Sequence, residues 1–439
     1  MSEQRLMGES TLKNLARVAL EHSKAEQSEV SVMAGRWALT RFANSSIHQN
    51  MASENVQMSV RAVFGKKVAS ASTNVLTEQG IRELVDKVVE MARLQDENPD
   101  FVSLPGPTDQ PRFAESYSPE TAASTPEERA EMVAKLVAEC DKIGATAAGS
   151  CFVRVYERVV LNSLGVSTYF KGAAANLTTV VTGQDGGFGY ASRVASNIRD
   201  IDAAEVGREA AKLAWESRNP MDLEPGEYEA VLSSYATADM INMLGWAGVH
   251  ALPYQEGRSF MTGKLGQKII GDSISIWDDA LDPRILVSPY DSEGVAKQRV
   301  DIIKNGVAGG ILYDSYTAHR EGKKSTGHAS GHNLIMAPGS ATLEEMIAST
   351  KRGVLVTRFH YTNLAHLMTV TMTGMTRDGT FLIENGKIVG PVKNLRIQQS
   401  VIDALSNVEM IGRDLMLEEN TLAPALKISK FRFQSATQF

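Results

Sequence analysis

From Val56 to Phe64 the chain alternates. Val56, Met58, Val60, Ala62 and Phe64 are apolar at period two, Gly65-Lys66-Lys67 turns the chain, and Val68 to Ser72 returns. Successive side chains of a strand point to opposite faces, so this pattern specifies a strand with one buried and one solvated face. A return through so short a turn pairs the neighbours antiparallel, because a parallel pair needs a long crossover. This part of the sheet is a meander. Two shorter pieces precede it, Glu29-Val30-Ser31-Val32 and Ala38-Leu39-Thr40-Arg41-Phe42, and Asn44-Ser45-Ser46 reads as a turn.

Helical periodicity frames these strands. Leu12, Leu15, Ala16, Val18, Ala19 and Leu20 give Thr11–His22 an apolar face, and a second helix runs from Glu78 on Ile81, Leu84, Val85, Val88, Met91 and Ala92. Residues 95–125 are rich in Pro, Ser, Thr and Asp and read as a long surface loop, the likeliest place for divergence. It ends in a helix start: Thr125 can cap, Pro126 suits the first turn and Glu128 completes a capping box, with the helix running to about Ile143. Strands at Cys151–Tyr156, Val159–Asn162, Val166–Phe170 and Leu177–Thr182 and a helix at Ala203–Glu216 complete the first half. Asn219-Pro220 and Glu224-Pro225-Gly226 then mark the main boundary.

Beyond it, strand signals dominate at Tyr228–Leu232, Ser273–Trp277, Ala308–Tyr313, Gly353–Arg358, Thr369–Met372, Thr380–Ile383, Lys387–Val389 and Ala425–Phe433. Helices are expected at about Ala236–Leu244 and Leu343–Ser349. Asn305-Gly306, Asp378-Gly379 and Asn385-Gly386 suit hairpin turns. The fold class is α+β: an N-terminal α/β domain with an antiparallel sheet and helices over residues 1–218, and a mainly antiparallel β domain over residues 219–439.

The 439 residues suffice for two or three domains with real cores. A net charge of −7 and the lack of a basic stripe argue against nucleic acid as a partner. Two cysteines, Cys140 and Cys151, make no disulfide scaffold and fit a reducing cytoplasm. The first residues contain no apolar core of a signal peptide, and no apolar stretch is long enough to span a membrane.

Six of the eight histidines fall between His250 and His366, yet H-E-x-x-H is absent. His328 and His332, four apart, would share a helix face and could ligate zinc. Gly327, Gly331 and the surrounding Ser and Thr read instead as a loop, one that contacts a peptide or ligand or one whose histidines simply hydrogen-bond within a turn. His250, with Glu256 nearby, reads as core packing. The loop Ser288–Val295, with Arg299 and Asp301, is an ion-paired segment that lines a cleft or holds two strands. Arg377 could clamp a substrate carboxylate bidentately or flank a hairpin turn, and Tyr361 could offer an aromatic surface to a peptide. Cys140 sits on an apolar-periodic helix as a buried thiol. There is no G-x-S-x-G, and the Gly-rich run Gly183–Gly189 lacks the Lys-Ser/Thr of a phosphate-binding loop.

Three passages in order, SPYDSEGVAKQRVDIIKNGV, LYDSYTAHREGKKSTGHASGHN and TGMTRDGTFLIENGKIVGPVKN, resemble the TldD/PmbA family, and specifically its PmbA (TldE) branch. The resemblance covers essentially the whole chain. It implies a cytoplasmic two-component zinc metalloprotease that cleaves unfolded peptides and trims peptide-antibiotic precursors. The family's TldD-type subunit carries H-E-x-x-x-H on a helix and a downstream cysteine. The matching positions here, about Asn242 to Ala247 and the region Met410–Arg413, hold neither. The resemblance therefore implies a chain with no catalytic residue, metal or cofactor of its own, with zinc in a TldD-like catalytic partner, and with peptide as substrate. His328, His332, Tyr361 and Arg377 are the residues expected to bind it. A homodimer when alone, an independent hydrolase using His319, His328 and His332 or His250 and Glu256, and a non-proteolytic peptide-binding protein remain as alternatives. Links of the family to DNA gyrase find no basic surface here.

Overall fold

The computed structural model describes residues 6–329 and 331–437; Ser330 of the histidine loop lies outside the described residues. The first half contains α1 (Glu9–His22), β1 (Gln27–Ala43), β2 (Ser46–Phe64), β3 (Lys67–Thr73), α2 (Glu78–Leu94), α3 (Pro119–Ala123), α4 (Pro126–Asp141), β4 (Thr146–Asn162), β5 (Ser167–Thr182), β6 (Phe188–Ala195) and α5 (Ala203–Glu216). The strands form one antiparallel sheet in the order β3-β2-β1-β4-β5-β6. Even-numbered side chains of β1 point to the helical layer. Val30, Val32 and Ala34 meet α1 and α2 at one end, and Ala38 and Phe42 meet α4 and α5 at the other. The odd-numbered side chains, Met33 and Trp37 among them, point to the opposite face.

Three pairs of short expected strands are single long ones, Val166–Phe170 and Leu177–Thr182 merging into β5. Gly35 interrupts the alternation in β1, but the strand continues because it is paired on both sides, with Asn55 and with Tyr156. A Cβ on Gly35 would stand 3.0 Å from the Val155 carbonyl oxygen, so close approach explains the glycine. Likewise Cys151–Tyr156 and Val159–Asn162 merge into β4. The capping box at the start of α4 forms with both reciprocal bonds, Thr125 to Glu128 and back.

The 95–125 segment is less free than its composition suggests. Phe101 and Leu104 are buried against Val63, Val68 and Tyr316. The Asn162 side chain donates to the Pro105 carbonyl at 2.7 Å, and Thr108 accepts from the Ala296 backbone at 3.0 Å. Two apolar anchors and these polar ties strap the segment across both halves of the molecule.

The second half contains β7 (Gly226–Leu232), α6 (Ser234–Gly248), α7 (Ala251–Gln255), β8 (Ile276–Asp278), β9 (Val300–Lys304), β10 (Val307–Ala308), α8 (Ser315–Arg320), β11 (Leu334–Met336), α9 (Leu343–Ala348), β12 (Arg352–His366), β13 (Thr371–Glu384), β14 (Lys387–Pro391), β15 (Leu395–Ser400), α10 (Val401–Ser406), β16 (Val408–Glu418) and β17 (Thr421–Ala436). They build one large sheet that is mainly antiparallel, with β7–β12 and β11–β17 paired parallel. Against it packs α6, whose Ala236, Met240, Ile241 and Leu244 enter the main core.

Several expectations change here. Ala308–Tyr313 is not a strand beyond Ala308, because Gly309 and Gly310 fold back onto the carbonyls of Ile302 and Asp301. Asp378-Gly379 is no hairpin turn but lies inside β13, with φ of 54° and 120°, opposite a register shift in β12. The strands β15 and β16 and the helices α8 and α10 are further elements, on which the sequence reading is silent.

Gly189 on β6 permits α5 to lie on the sheet: a Cβ there would be 1.9 Å from the Ala210 carbonyl oxygen. Gly189→Ala should lose about 1–3 kcal/mol of stability through overpacking. Gly106, with nothing near its Cβ position, supplies the control. Denaturant titration that finds Gly189→Ala as stable as Gly106→Ala would refute this account of the packing.

Candidate functional site

The helix α6 is buried on most of its circumference, and its remaining face carries Asp239, Asn242 and Trp246 at i, i+3 and i+7. Trp246 is 68% exposed. Beside Asn242 the helix holds Gly245, and the His332 ring occupies the space a side chain would fill: a Cβ there would be 2.2 Å from His332 Nε2. His332 Nε2 lies 3.0 Å from Asn242 Oδ1. With the amide oxygen as acceptor, the imidazole donates from Nε2. The His250 ring, at the start of α7, is 5.8 Å from that of His332, centroid to centroid. Burial lowers the pKa of both rings, His250 to about 4, and a positive charge on His332 would oppose one on His250. Both are neutral at pH 7.

The loop that delivers His332 is pinned from below. Asp278 on β8, fully buried, takes His328 Nε2 at 2.8 Å on one oxygen and the Asn333 backbone N–H on the other. Thr326 Oγ1 lies 3.0 Å from His328 Nδ1. Asp291 accepts the Ala329 N–H at 3.0 Å. Gly327, at φ 75°, lets the loop pass the Ala296 carbonyl. The His328 side chain is completely enclosed and serves to hold this turn. His332 is the residue of the pair that reaches the helix.

A second cluster lies towards the start of α6. Arg358 on β12 donates from Nε to Asp378 Oδ2 at 2.7 Å, and its guanidinium covers the Tyr190 ring at 4.2 Å. Tyr190 donates to Glu418 at 2.8 Å. Burial raises the pKa of Asp239 to about 7, with the Glu418 charge adding and Arg358 opposing. Glu418 is also raised by burial. Two carboxyls that share one low-dielectric site titrate as a pair. Arg377, opposite Arg358 in the β12–β13 register, stands 3.7 Å from Asp378 Oδ1 and remains partly exposed. Tyr361 projects from a bulge in β12, at φ 55° and 79% exposed.

Of the expected residues, His332 therefore lies on α6, His328 lies beneath it, and Arg377 joins the arginine–aspartate cluster. Tyr361 stands apart on the surface, its ring edge-on to His360. His319 sits on α8 and Glu256 pairs with Arg258, and among the described residues neither completes a metal-holding group with His250 or His328. Asp239, Asn242, Asp278, Arg358 and Glu418 were not singled out as site residues. Only Asp239 and Asn242, on the helix, carried a local signal, since the others meet through long-range pairing. The side chains here do not suit zinc, which takes about four N, O or S donors. Among the described residues no group of three or more His, Cys, Asp or Glu side chains could hold a metal ion. Cys140 and Cys151 are buried, with burial pushing their thiols to about 12 and about 11. No helix among the described residues is long and apolar enough to cross a membrane.

Family models for the PmbA/TldA metallopeptidase match in chain order: domain 1 over residues 28–92, the central domain over 118–217 and the C-terminal domain over 225–435. The chain belongs to the TldD/PmbA family. It is 26% identical over 408 residues to the metalloprotease PmbA of Escherichia coli O157:H7, covering 86% of this chain and 87% of that protein. A PmbA homologue of Haemophilus influenzae is 27% identical over 231 residues, 52% of this chain and 50% of its own length. The crystal structure of TldE from Thermococcus kodakarensis superposes with a TM-score of 0.85 at 21% identity, over 96% of this chain and 99% of that one, and so shares the fold.

Two outcomes follow for this TldD/PmbA member. Gly245→Ala should drive His332 off α6, break its bond to Asn242 and lower stability by about 1–3 kcal/mol. An unshifted His332 imidazole resonance in the variant would contradict the contact. The raised Asp239 pKa means the folded state holds a proton that the unfolded state has released, so this site's stabilisation is present at low pH and is lost as pH rises from about 4 to about 7. Asp239→Asn should therefore match the parent near pH 4 and exceed it above pH 7. Parallel stability curves for the two proteins would rule this out.

Proposed function

We propose that this chain is the PmbA (TldE)-like, non-catalytic subunit of a TldD/TldE-type zinc metalloprotease complex that degrades or processes unfolded peptides in the cytoplasm. The observation that carries this reading is the composition of α6. Where the family resemblance places the metal-binding helix of a TldD-type subunit, α6 offers Asn242 as a hydrogen-bond acceptor, a glycine filled by His332, and Trp246. Zinc and the hydrolytic chemistry belong, in this reading, to a TldD-like partner. The domains are residues 1–218 and 219–439, with the second completing a chamber for an extended peptide. Strand addition to its sheet suits such a substrate, since backbone bonds give affinity without demanding a sequence.

Within that chamber, His332, Arg377 and Tyr361 are the substrate-facing residues, and His328 acts from beneath by fixing the loop. Arg377 has a partly exposed guanidinium suited to carboxylate groups. Tyr361 supplies a rigid aromatic surface.

The test is zinc content and peptidase activity of the purified chain, alone and mixed with the TldD-type protein of the same cell. The expected result is a zinc-free, inactive chain that forms a stable complex active on unfolded peptides. Arg377→Ala and Tyr361→Ala should raise the KM of that complex while the complex itself persists. Stoichiometric zinc and chelator-sensitive cleavage by the chain alone would refute the reading. So would failure to bind any TldD-type protein.

A further inference from the structure

On the face of the N-terminal sheet away from the helices, a cavity of about 180 Å³ opens where the sheet meets the loop 288–291. Arg154, Tyr156 and Arg158 alternate along β4 and so point together into it. Arg158 is largely buried, and burial lowers its pKa. Its Nε donates to Ser31 Oγ at 3.1 Å and one Nη2 proton to the Ser292 carbonyl at 3.1 Å. Nη1 has no hydrogen-bond partner among the described residues, and no carboxylate lies at ion-pair distance. Arg154 covers the Tyr156 ring at 4.8 Å and likewise has no acidic partner there. Tyr156, Tyr290, Ser288 and Thr168 line the same space, and their hydroxyls make no hydrogen bond among the described residues.

The Asp291 and Glu29 charges act on Arg158 from beyond ion-pair distance, so its Nη1 donors stay free for an acceptor in the cavity, and a charge-assisted bond to an anion there is favourable. One acidic side chain, Asp291, also lines the cavity. Its Oδ1 already accepts the N–H groups of Glu293 at 2.9 Å and Val295 at 3.0 Å, and its Oδ2 accepts that of Ala329 at 3.0 Å. It is therefore engaged with the loop backbone. Two arginines against one aspartate leave a local charge of about +1, which matches a monoanion better than a dianion such as phosphate. Arginine's planar fork fits a carboxylate. Met33, Val160 and Phe170 supply an apolar wall beside the donors.

We propose that this cavity binds a carboxylate carried next to an apolar group, namely the C-terminal residue of a peptide, with Arg158 as the buried anchor and Arg154 as the entrance charge. The site lies on different elements from α6 and its histidines. Its occupancy does not depend on the complex-subunit reading, because binding is measured on this chain alone.

The experiment is calorimetric titration of the full chain with an N-acetylated tetrapeptide ending in leucine. The peptide is used as the free acid, as the C-terminal amide, and as an amide carrying one internal glutamate. The free acid should bind, and the amide should bind about tenfold or more weakly, the size expected for lost charge-assisted hydrogen bonds. If the glutamate-bearing amide binds as well as the free acid, the carboxylate site stands and the acidic side chain is its source. Arg158→Gln should weaken the free acid about tenfold or more. Arg154→Gln changes an exposed residue, keeps the fold intact, and should weaken binding in the same direction with less salt dependence. Equal binding of acid and amide, an unchanged affinity in Arg154→Gln, or absence of binding at millimolar peptide would each overturn the proposal.

Discussion

The turn at Asp291–Glu293 is the point on which the rest of the structure depends. Glu293 accepts the Ser315 backbone N–H at 3.0 Å through one oxygen and Arg61 at 3.0 Å through the other. Arg61 also pairs with Glu29 at 2.8 Å, directly across the β1–β2 register. Asp291, one turn away, closes its own loop and holds Ala329 of the histidine loop. A few carboxylate oxygens thus join the first sheet, the start of α8 and the loop that carries His332. All four ionic side chains are mostly shielded from water. Removing one would leave uncompensated buried charge, at a loss of about 3–5 kcal/mol. Position, more than raw stability, is what such a network fixes.

From that seam the geometry of the site follows. With Ala329 and Asn333 held at both ends of the turn, His332 meets α6 over Gly245. Along the same helix Asp239 faces the Arg358–Asp378 and Tyr190–Glu418 pairs, which bring together β12, β13, β6 and β16. The helix is therefore a shared wall for two polar clusters, one of neutral histidines and one of carboxyls with raised proton affinity.

Much of the first half was legible because its constraints are local. The period-two run at Val56–Phe64, the capping box at Thr125–Glu128 and the helix at Ala203–Glu216 each specify their element within a few residues. Where two neighbours supply the pairing, local alternation says less: β1 runs through Gly35 although its pattern breaks there. The second half was harder to read for the same reason. Strands as short as Ile276–Asp278 and Leu334–Met336 lack a period to detect, and Asp378-Gly379 has the composition of a turn inside a strand. The site shared this limit. Histidine clustering drew attention to the right loop, yet the partners of those histidines, Asp278 and Asn242, lie 50 and 90 residues away in sequence.

The sequence by itself determined the α+β class, the antiparallel meander, the buried thiol of Cys140 and the lack of a metal-binding helix motif. These depend on periodicity, on capping chemistry and on residue types at adjacent positions. Only the tertiary structure decided that His328 faces inward while His332 faces α6. The two differ by one helical turn's worth of sequence, in a loop where no periodicity assigns a direction. The enclosure of His328 comes from Asp278 and that of His332 from a glycine that leaves room for a ring. Likewise, an unpaired Arg158 could not be read from its neighbours, because whether a charge is buried or paired depends on what the rest of the chain brings to it.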